Sequence, residues 1–153
     1  ENNIMSFSML LNLVETSNAD SKDLLWKFVK KYKTNLNEKE FPIFDKLVDY
    51  AIKYYKDVIS PNKKYKTPNS DEKKVLMSLV KALDECNDKM TPEDIQTKIF
   101  SVGKENGYKD NLRDWFKLIY EVVFGDENGP RIGFFISFFG VKETQNLIKE
   151  KIM

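Results

Sequence analysis

Apolar residues recur three and four positions apart along almost the whole chain, with polar residues between them. This spacing places the apolar side chains on one face of an α-helix, whereas a half-buried strand requires strict alternation. No segment alternates in that way, and no Asn-Gly hairpin joins two β-branched segments. The pattern therefore predicts an all-α fold of about seven or eight helices, arranged as a single helical domain over residues 1–153.

The first three helices are predicted from their end residues and their apolar faces. Ser6 is the expected N-cap of the first helix, and Asp20 or Ser21 that of the second. Pro61 is expected to end the third, because proline lacks the N–H that a helix needs. The residues expected inside are Phe7, Leu10, Leu11, Leu13, Val14, Leu24, Leu25, Phe28, Val29, Phe44, Leu47, Val48, Ala51, Ile52, Tyr55, Val58 and Ile59.

The segment SPNKKYKTPNSDEK, which follows the third helix, is rich in proline, asparagine and lysine. This composition predicts an exposed loop, and a fourth helix is expected from Asp71 to Leu83. Thr91 and Pro92 then mark the clearest helix start, because threonine caps well and proline suits the first helical position. Two acidic residues that follow complement the helix dipole.

The remaining helix ends are predicted mainly at glycines, which adopt the left-handed conformation that closes a helix. The fifth helix is expected to end at Asn106-Gly107 and to bury Ile95, Ile99, Phe100 and Val102. The sixth is expected to be capped by Asp110, to bury Trp115, Leu118, Ile119 and Val122, and to end at Gly125. The seventh, RIGFFISFF, is expected at the centre of the fold, with Pro130 in its first turn and Gly140 at its end, before a last helix from Glu143 to Ile152.

Composition adds limits to this picture. The chain is 41% hydrophobic and 32% charged, as is typical of folded globular proteins. Its 25 basic and 24 acidic residues nearly cancel, so any nucleic-acid surface must be a local patch. No apolar run is long enough to span a membrane, and we expect a cytoplasmic protein. The chain begins at Glu1, which suggests a segment of a longer protein.

Catalytic chemistry finds little support in the sequence. There is no histidine, and the one cysteine, Cys86, has no histidine to activate it and is expected to be a small buried hydrophobe. We therefore expect no metal, cofactor or catalytic residue in this chain. No glycine-rich phosphate loop is present, since neither GDENG nor GPRIG has the required spacing.

Four strings, in this order along the chain, resemble class I lysyl-tRNA synthetases. SFSMLLNLVETSNADSKDLLWKFV is similar to the segment by which this family leaves its catalytic domain for its anticodon-binding domain. FDKLVDYAIKYYKDVISP, with Tyr54, Tyr55 and a terminating proline, resembles a central helix, and Lys63-Lys64-Tyr65 resembles the basic loop after it. RDWFKLIYEVVFGDENGPRIGFFISFFGVKETQNLI is similar to the closing block.

The resemblance implies the C-terminal, all-helical anticodon-binding domain of a lysine–tRNA ligase. The family's Rossmann-type catalytic domain, with its His-Ile-Gly-His motif and Lys-Met-Ser-Lys-Ser-like loop, would lie upstream and would bind ATP and lysine. The expected partners are the anticodon stem-loop of tRNA(Lys) and the catalytic domain of the same polypeptide, with no membrane. The expected role is selection of the tRNA, and no catalytic site is expected in this chain alone.

Candidate RNA-contacting residues follow from the chemistry of recognition, in which bases stack on flat side chains and cations hold phosphates. Lys63, Lys64 and Lys66 are candidate phosphate ligands, and Tyr65 is a candidate stacking residue. The alternative is that these lysines only solvate a loop. Tyr108, at a predicted helix end, is a second stacking candidate.

Arg131 is expected at a helix start, where free backbone amides favour anions, and its guanidinium could pair with a phosphate or a base edge. It could equally tie the turn to a neighbouring helix, and Arg113, beside Asp114, is equally ambiguous. The phenylalanines of the seventh helix are expected in the core. The competing function is a helical protein-interaction module whose lysines are only solubilising.

Overall fold

The structure is a computed structural model that describes residues 4–17, 21–32, 36–87 and 89–153. These residues form eight α-helices and no strand, which confirms the predicted all-α fold class. Backbone contacts group into two compact units, unit 1 up to Lys63 and unit 2 from Lys64. The assignment of residues 1–153 to a single domain stays a prediction. No described helix is both long and apolar enough to cross a membrane.

Unit 1 contains α1 (Phe7–Ser17), α2 (Lys22–Tyr32) and α3 (Pro42–Tyr54). The Ser6 hydroxyl accepts a hydrogen bond from the Met9 N–H at 3.1 Å, and the Ser21 hydroxyl accepts one from the Leu24 N–H at 3.4 Å. Both predicted caps are therefore confirmed, whereas Asp20, the alternative cap of α2, lies outside the described residues.

The core of unit 1 forms around the Trp26 indole. Its ring packs edge-on against Phe44 at 5.4 Å between centroids, and its N–H donates to the Asp45 carboxylate at 2.9 Å. Because the indole nitrogen, its one polar atom, is hydrogen-bonded, this large side chain can be almost fully buried. The other buried apolar residues of the unit include Leu10, Leu13, Val14, Leu25, Val29, Val48 and Ala51.

The end of the third helix differs from the prediction. After α3 the chain continues through a π-helical turn, Tyr55–Ile59, and a 3₁₀ turn, Ser60–Asn62, and becomes extended at Lys63. Pro61 therefore does not end the helical course, because it sits at the start of the 3₁₀ turn, where its missing N–H needs no partner. The wider π turn also rotates the faces, so Val58, predicted inside, is 44% exposed.

Unit 2 contains α4 (Ser70–Leu83), α5 (Pro92–Gly103), α6 (Leu112–Val123), α7 (Ile132–Phe139) and α8 (Val141–Ile152). The predicted start at Thr91 is confirmed, because its hydroxyl accepts from the Asp94 N–H and the Asp94 carboxylate accepts from the Thr91 N–H, each at 3.0 Å. Asn69 and Glu72 form the same reciprocal capping box before α4, which begins at Ser70 rather than Asp71.

Two predicted helix starts in unit 2 are wrong. Asp110 does not cap the sixth helix, because Asn111 closes a turn by donating its N–H to the Tyr108 carbonyl, so that α6 begins after it. Pro130 lies before α7 rather than in its first turn, because the chain stays extended through Arg131, which occupies the N-cap. The last helix begins at Val141, before the predicted Glu143. Positive φ at Gly125 and Gly140 confirms the predicted ends of the sixth and seventh helices. The fifth differs, because α5 ends at Gly103 and the chain continues through a π-helical segment, Lys104–Tyr108, which breaks at the predicted Asn106-Gly107 with a φ of 97° at Gly107.

Helix α7 lies in the core of unit 2, as predicted. It buries Ile132, Gly133, Phe135, Ile136, Phe138 and Phe139, whereas Phe134 is only half-buried. A Cβ on Gly133 would overlap the Pro92 carbonyl oxygen and lie 2.8 Å from the Gln96 nitrogen, so α7 meets α5 backbone to backbone. The Gly133 N–H donates to the buried Gln96 amide oxygen at 2.7 Å. Of the residues predicted inside α5, Phe100 is half-buried and the rest are buried.

Candidate nucleic-acid interface

The loop of residues 63–69 is extended and largely exposed, as its composition predicted. Lys63, its first residue, belongs to unit 1 and pairs with Glu15 of α1 at 3.0 Å. Both side chains are mostly buried, with 12% of Lys63 and 4% of Glu15 exposed. The positive charge of Lys63 is therefore already balanced by Glu15, and the pair holds the end of the helical segment against α1.

Lys64 differs from the other two lysines of the loop in its lack of a described partner. It is exposed and forms no hydrogen bond or ion pair with any residue that the structure describes. Tyr65 beside it is 41% exposed, and the Lys151 ammonium lies 3.8 Å from its ring centroid. A cation over an aromatic face is attracted by the ring quadrupole, so α8 adds a positive charge to this end of the loop.

Lys66 anchors the loop to two helices of unit 2. Its backbone N–H donates to the Glu121 carbonyl at 3.0 Å, and its ammonium donates to the Glu72 carboxylate at 2.8 Å. The hydrogen bond to Glu72 raises the pKa of Lys66. Burial opposes ionisation of Glu72, but the hydrogen bonds from Lys66 and the Asn69 backbone outweigh it and lower the pKa of Glu72. Lys66 is thus a bracing residue in this geometry.

Tyr108 lies close to the Lys66–Glu72 pair. Burial raises the pKa of its hydroxyl, and the nearby Glu72 carboxylate raises it further. Its ring packs against buried Trp115 at 5.5 Å between centroids, and the Trp115 indole donates to the Ile99 carbonyl at 3.0 Å. The structure therefore brings Tyr108 and Lys66 together, although they are far apart in sequence.

Arg131 occupies a different part of unit 2. Its guanidinium lies 5.5 Å from the Phe134 ring centroid, and it is exposed at the N-cap of α7. Burial raises the pKa of Tyr120, and the positive charge of Arg131 nearby partly opposes this. In the described parts of the chain, no hydrogen bond, ion pair or ring contact links Arg131 to residues 64–66.

The Cys86 thiol and the carboxylates are the described side chains that bear on catalysis and metal binding. Burial raises the pKa of the half-buried Cys86 thiol, which leaves it protonated and a poor nucleophile at neutral pH. No group of three or more cysteine, aspartate or glutamate residues in the described ranges could hold a metal ion. Arg113 is exposed and forms no ion pair within those ranges.

Sequence reasoning missed the partners that hold these side chains. Glu15, Glu72 and Lys151 were not singled out, although each contacts a predicted site residue. Glu72 could have been found, because Asn-x-x-Glu before an apolar run is typical of a capping box. Glu15 and Lys151 gave no local signal, since each comes from a helix distant in sequence from its partner.

Comparison with known proteins relates the chain to one enzyme. It is 37% identical over 148 residues to the lysine–tRNA ligase of Rickettsia felis, and 36% identical to those of Rickettsia bellii and Rickettsia peacockii. Each match covers 97% of the chain but only 28% of the relative. No family model and no solved structure matches. Over nearly its whole length, the chain is therefore homologous to one segment of lysyl-tRNA synthetases.

Proposed function

We propose that the chain is the C-terminal anticodon-binding domain of a class I lysyl-tRNA synthetase and selects the tRNA to which the parent enzyme attaches lysine. The observation that carries the proposal is the match to lysine–tRNA ligases over 97% of this chain and 28% of each relative. ATP and lysine would bind in the remainder of the polypeptide. The part proposed for this chain is recognition of the anticodon stem-loop.

The geometry of the loop supports a division of work among its lysines. Lys63 and Lys66 hold the loop through Glu15 and Glu72, and Lys64 carries the charge best placed to meet a phosphate. Such a contact is non-directional and independent of base sequence. Tyr65, which is 41% exposed beside Lys64, is the proposed stacking residue of the loop.

Arg131 would do different work. Its planar guanidinium is held near the Phe134 ring at the start of α7, which restricts the directions in which it can donate. A fixed guanidinium can pair with two acceptors on one base edge, and such a pair discriminates between bases. Tyr108, packed against Trp115 beside Lys66, would support the loop rather than stack on a base.

The test is a binding titration of the full chain with the anticodon stem-loop of tRNA(Lys) and with a stem-loop of altered anticodon, over a range of salt. Lys64→Gln should weaken both complexes alike and reduce the salt slope by about one. Arg131→Ala should reduce the difference in binding free energy between the two RNAs by about 1–3 kcal/mol. Lys81→Gln is the control, since Lys81 is exposed at the far end of α4.

Three outcomes would contradict the proposal in different ways. If the folded chain binds neither RNA, the proposed RNA-binding function is wrong. If Arg131→Ala keeps its helicity and still discriminates between the two RNAs as well as the wild-type chain does, Arg131 does not read a base. An interaction that is indifferent to salt would favour the helical protein-interaction module, because a hydrophobic groove releases no counterions on binding.

A further inference from the structure

The surface of unit 1 carries a cluster of three aromatic rings, Phe7 of α1 and Tyr50 and Tyr54 of α3. Tyr50 and Tyr54 are stacked with centroids 6.0 Å apart and planes 24° apart. Phe7 lies 5.6 Å from Tyr50 and 5.9 Å from Tyr54. Tyr50 is nevertheless 57% exposed. The cluster therefore supports the Tyr50 ring from two sides and leaves much of it open.

This exposure contrasts with the two aromatic residues in the core of unit 1. Trp26 and Phe44 pack against each other in the core, and each is almost completely buried. Tyr50 and Tyr54 are four residues apart, which places them on one face of α3. A tyrosine already held by neighbouring rings loses little side-chain entropy when a flat ligand stacks on it.

Two lysines flank the cluster on α3. Lys46 lies one turn before Tyr50 and Lys53 lies three positions after it, so both project near its side of the helix. Both are exposed and neither forms an ion pair with a described residue. Asp45 binds Lys22 and Trp26, and Asp49 contributes to the raised pKa of Lys22.

We infer that this aromatic face, formed by Phe7, Tyr50 and Tyr54 with Lys46 and Lys53, stacks unpaired bases of an RNA strand while its lysines hold the adjoining phosphates. Stacked aromatic rings beside unpaired cations are the combination by which proteins bind single-stranded RNA without strong sequence preference. The inference rests on the proposed function and adds to it a second RNA contact, which lies in unit 1.

Charge favours RNA over a protein partner for this face. An apolar docking site would gain from aliphatic residues and from few free charges at its centre. Here the stacked rings carry hydroxyl groups and have lysines one turn away on the same helix. Ile43, at the start of α3, is 67% exposed. The variant Ile43→Ala therefore tests whether the partner is a protein that docks on apolar residues rather than RNA.

The experiment measures binding of the full chain to the anticodon stem-loop of tRNA(Lys) over a range of salt. Tyr50→Ala should weaken binding about tenfold without changing the salt slope, because stacking releases no counterions. Tyr50→Phe should retain the affinity, since the ring is what stacks. Lys53→Gln should reduce the salt slope by about one. Lys27→Gln, at an exposed residue of α2, should leave both affinity and slope unchanged.

Circular dichroism of each variant checks that the fold is intact before its binding is compared. If the wild-type chain binds and Lys64→Gln weakens it, but Tyr50→Ala does not, the aromatic face is not an RNA contact and the proposed function stands. If the wild-type chain does not bind, both are wrong. If Ile43→Ala weakens binding as much as Tyr50→Ala and Lys53→Gln has no effect, the face is an apolar docking site and the inference is overturned.

Discussion

Gly133 shows how one residue fixes the approach of two helices. A methyl group there would overlap the Pro92 carbonyl, which is backbone and cannot rotate away. Gly133→Ala should therefore force α5 and α7 apart and destabilise unit 2 by about 1–3 kcal/mol. Urea unfolding followed by circular dichroism measures the loss. Ser137→Ala, one turn later on α7, is the control and should change stability little. Equal stability of both variants would show that the helices adapt without cost.

Asp45 provides a prediction for the dependence of stability on pH. The hydrogen bond from Lys22 lowers the pKa of Asp45 below its ordinary value, and the Trp26 indole adds to this against the opposing effect of burial. The charged form is thus favoured by folding, so its stabilisation is complete above the ordinary carboxylate pKa and is lost as the pH falls through the lowered, folded-state value.

Asp45→Asn should accordingly destabilise unit 1 at neutral pH and have a smaller effect in acid, where the wild-type protein has lost part of the stabilisation that its carboxylate provides. The loss at pH 7 should be at most about 1 kcal/mol, because water screens the partly exposed pair. Urea midpoints at about pH 7 and pH 3 measure the difference, followed by fluorescence in a Trp115→Phe background that leaves Trp26 as the reporter. Asp49→Asn, at an exposed neighbouring acid, should show little effect at either pH. A loss that grows in acid would contradict this account.

At the same scale, the sequence predicted which side chains are chemically suited to RNA but not which of them are already paired. Lys63, Lys64 and Lys66 are equivalent in composition, yet Lys63 is buried against Glu15 and Lys66 is tied to Glu72. Pairing depends on which helices meet, and no short spacing rule encodes that. Tyr50 was overlooked for the same reason, since only the packed structure shows that its face of α3 stays open.

Among the helices, the capping box at the start of α5 gives a direct test of local sequence. Thr91→Ala removes the hydroxyl that accepts the Asp94 N–H and should destabilise unit 2 by about 1 kcal/mol. Thr97→Ala is the matched control, because the Thr97 hydroxyl bonds only to a carbonyl of its own helix, that of Glu93. Urea unfolding of the two variants measures the contrast. A larger loss from Thr97→Ala would show that the cap contributes little.

Helix existence was predictable from periodicity, whereas several helix ends were not. Ser6, Ser21 and Thr91 were found because a capping side chain acts within its own few residues. Asp110 and Pro130 were wrong, because a turn at Asn111 and an extended Arg131 delay the helices that follow. These local backbone choices depend on the tertiary contacts around them. The composition of the chain does not determine them.

At the scale of the whole chain, each unit closes a hydrophobic core of its own. Unit 1 packs around Trp26 and Phe44, and unit 2 packs around α7 with Trp115 fully buried. In unit 2 the buried Gln145 amide also bonds the Val80 carbonyl and the Asp84 carboxylate, which joins α8 to α4. Since a core and its satisfied polar groups are what a cooperative unit requires, each unit is expected to unfold as one.

The two tryptophans of the chain allow the unfolding of each unit to be measured separately, because Trp26 lies in unit 1 and Trp115 in unit 2. In Trp115→Phe the remaining fluorescence reports unit 1, and in Trp26→Phe it reports unit 2. Unit 1 is the smaller and should bury a smaller share of its surface, so Trp26 fluorescence should change at lower urea than Trp115 fluorescence. Circular dichroism of the wild-type chain should then span both transitions.

Each substitution lowers the stability of its own unit, but the reporter lies in the other unit, so each midpoint refers to an unaltered core. A single midpoint shared by both variants and by circular dichroism would show instead that the chain unfolds as one cooperative domain.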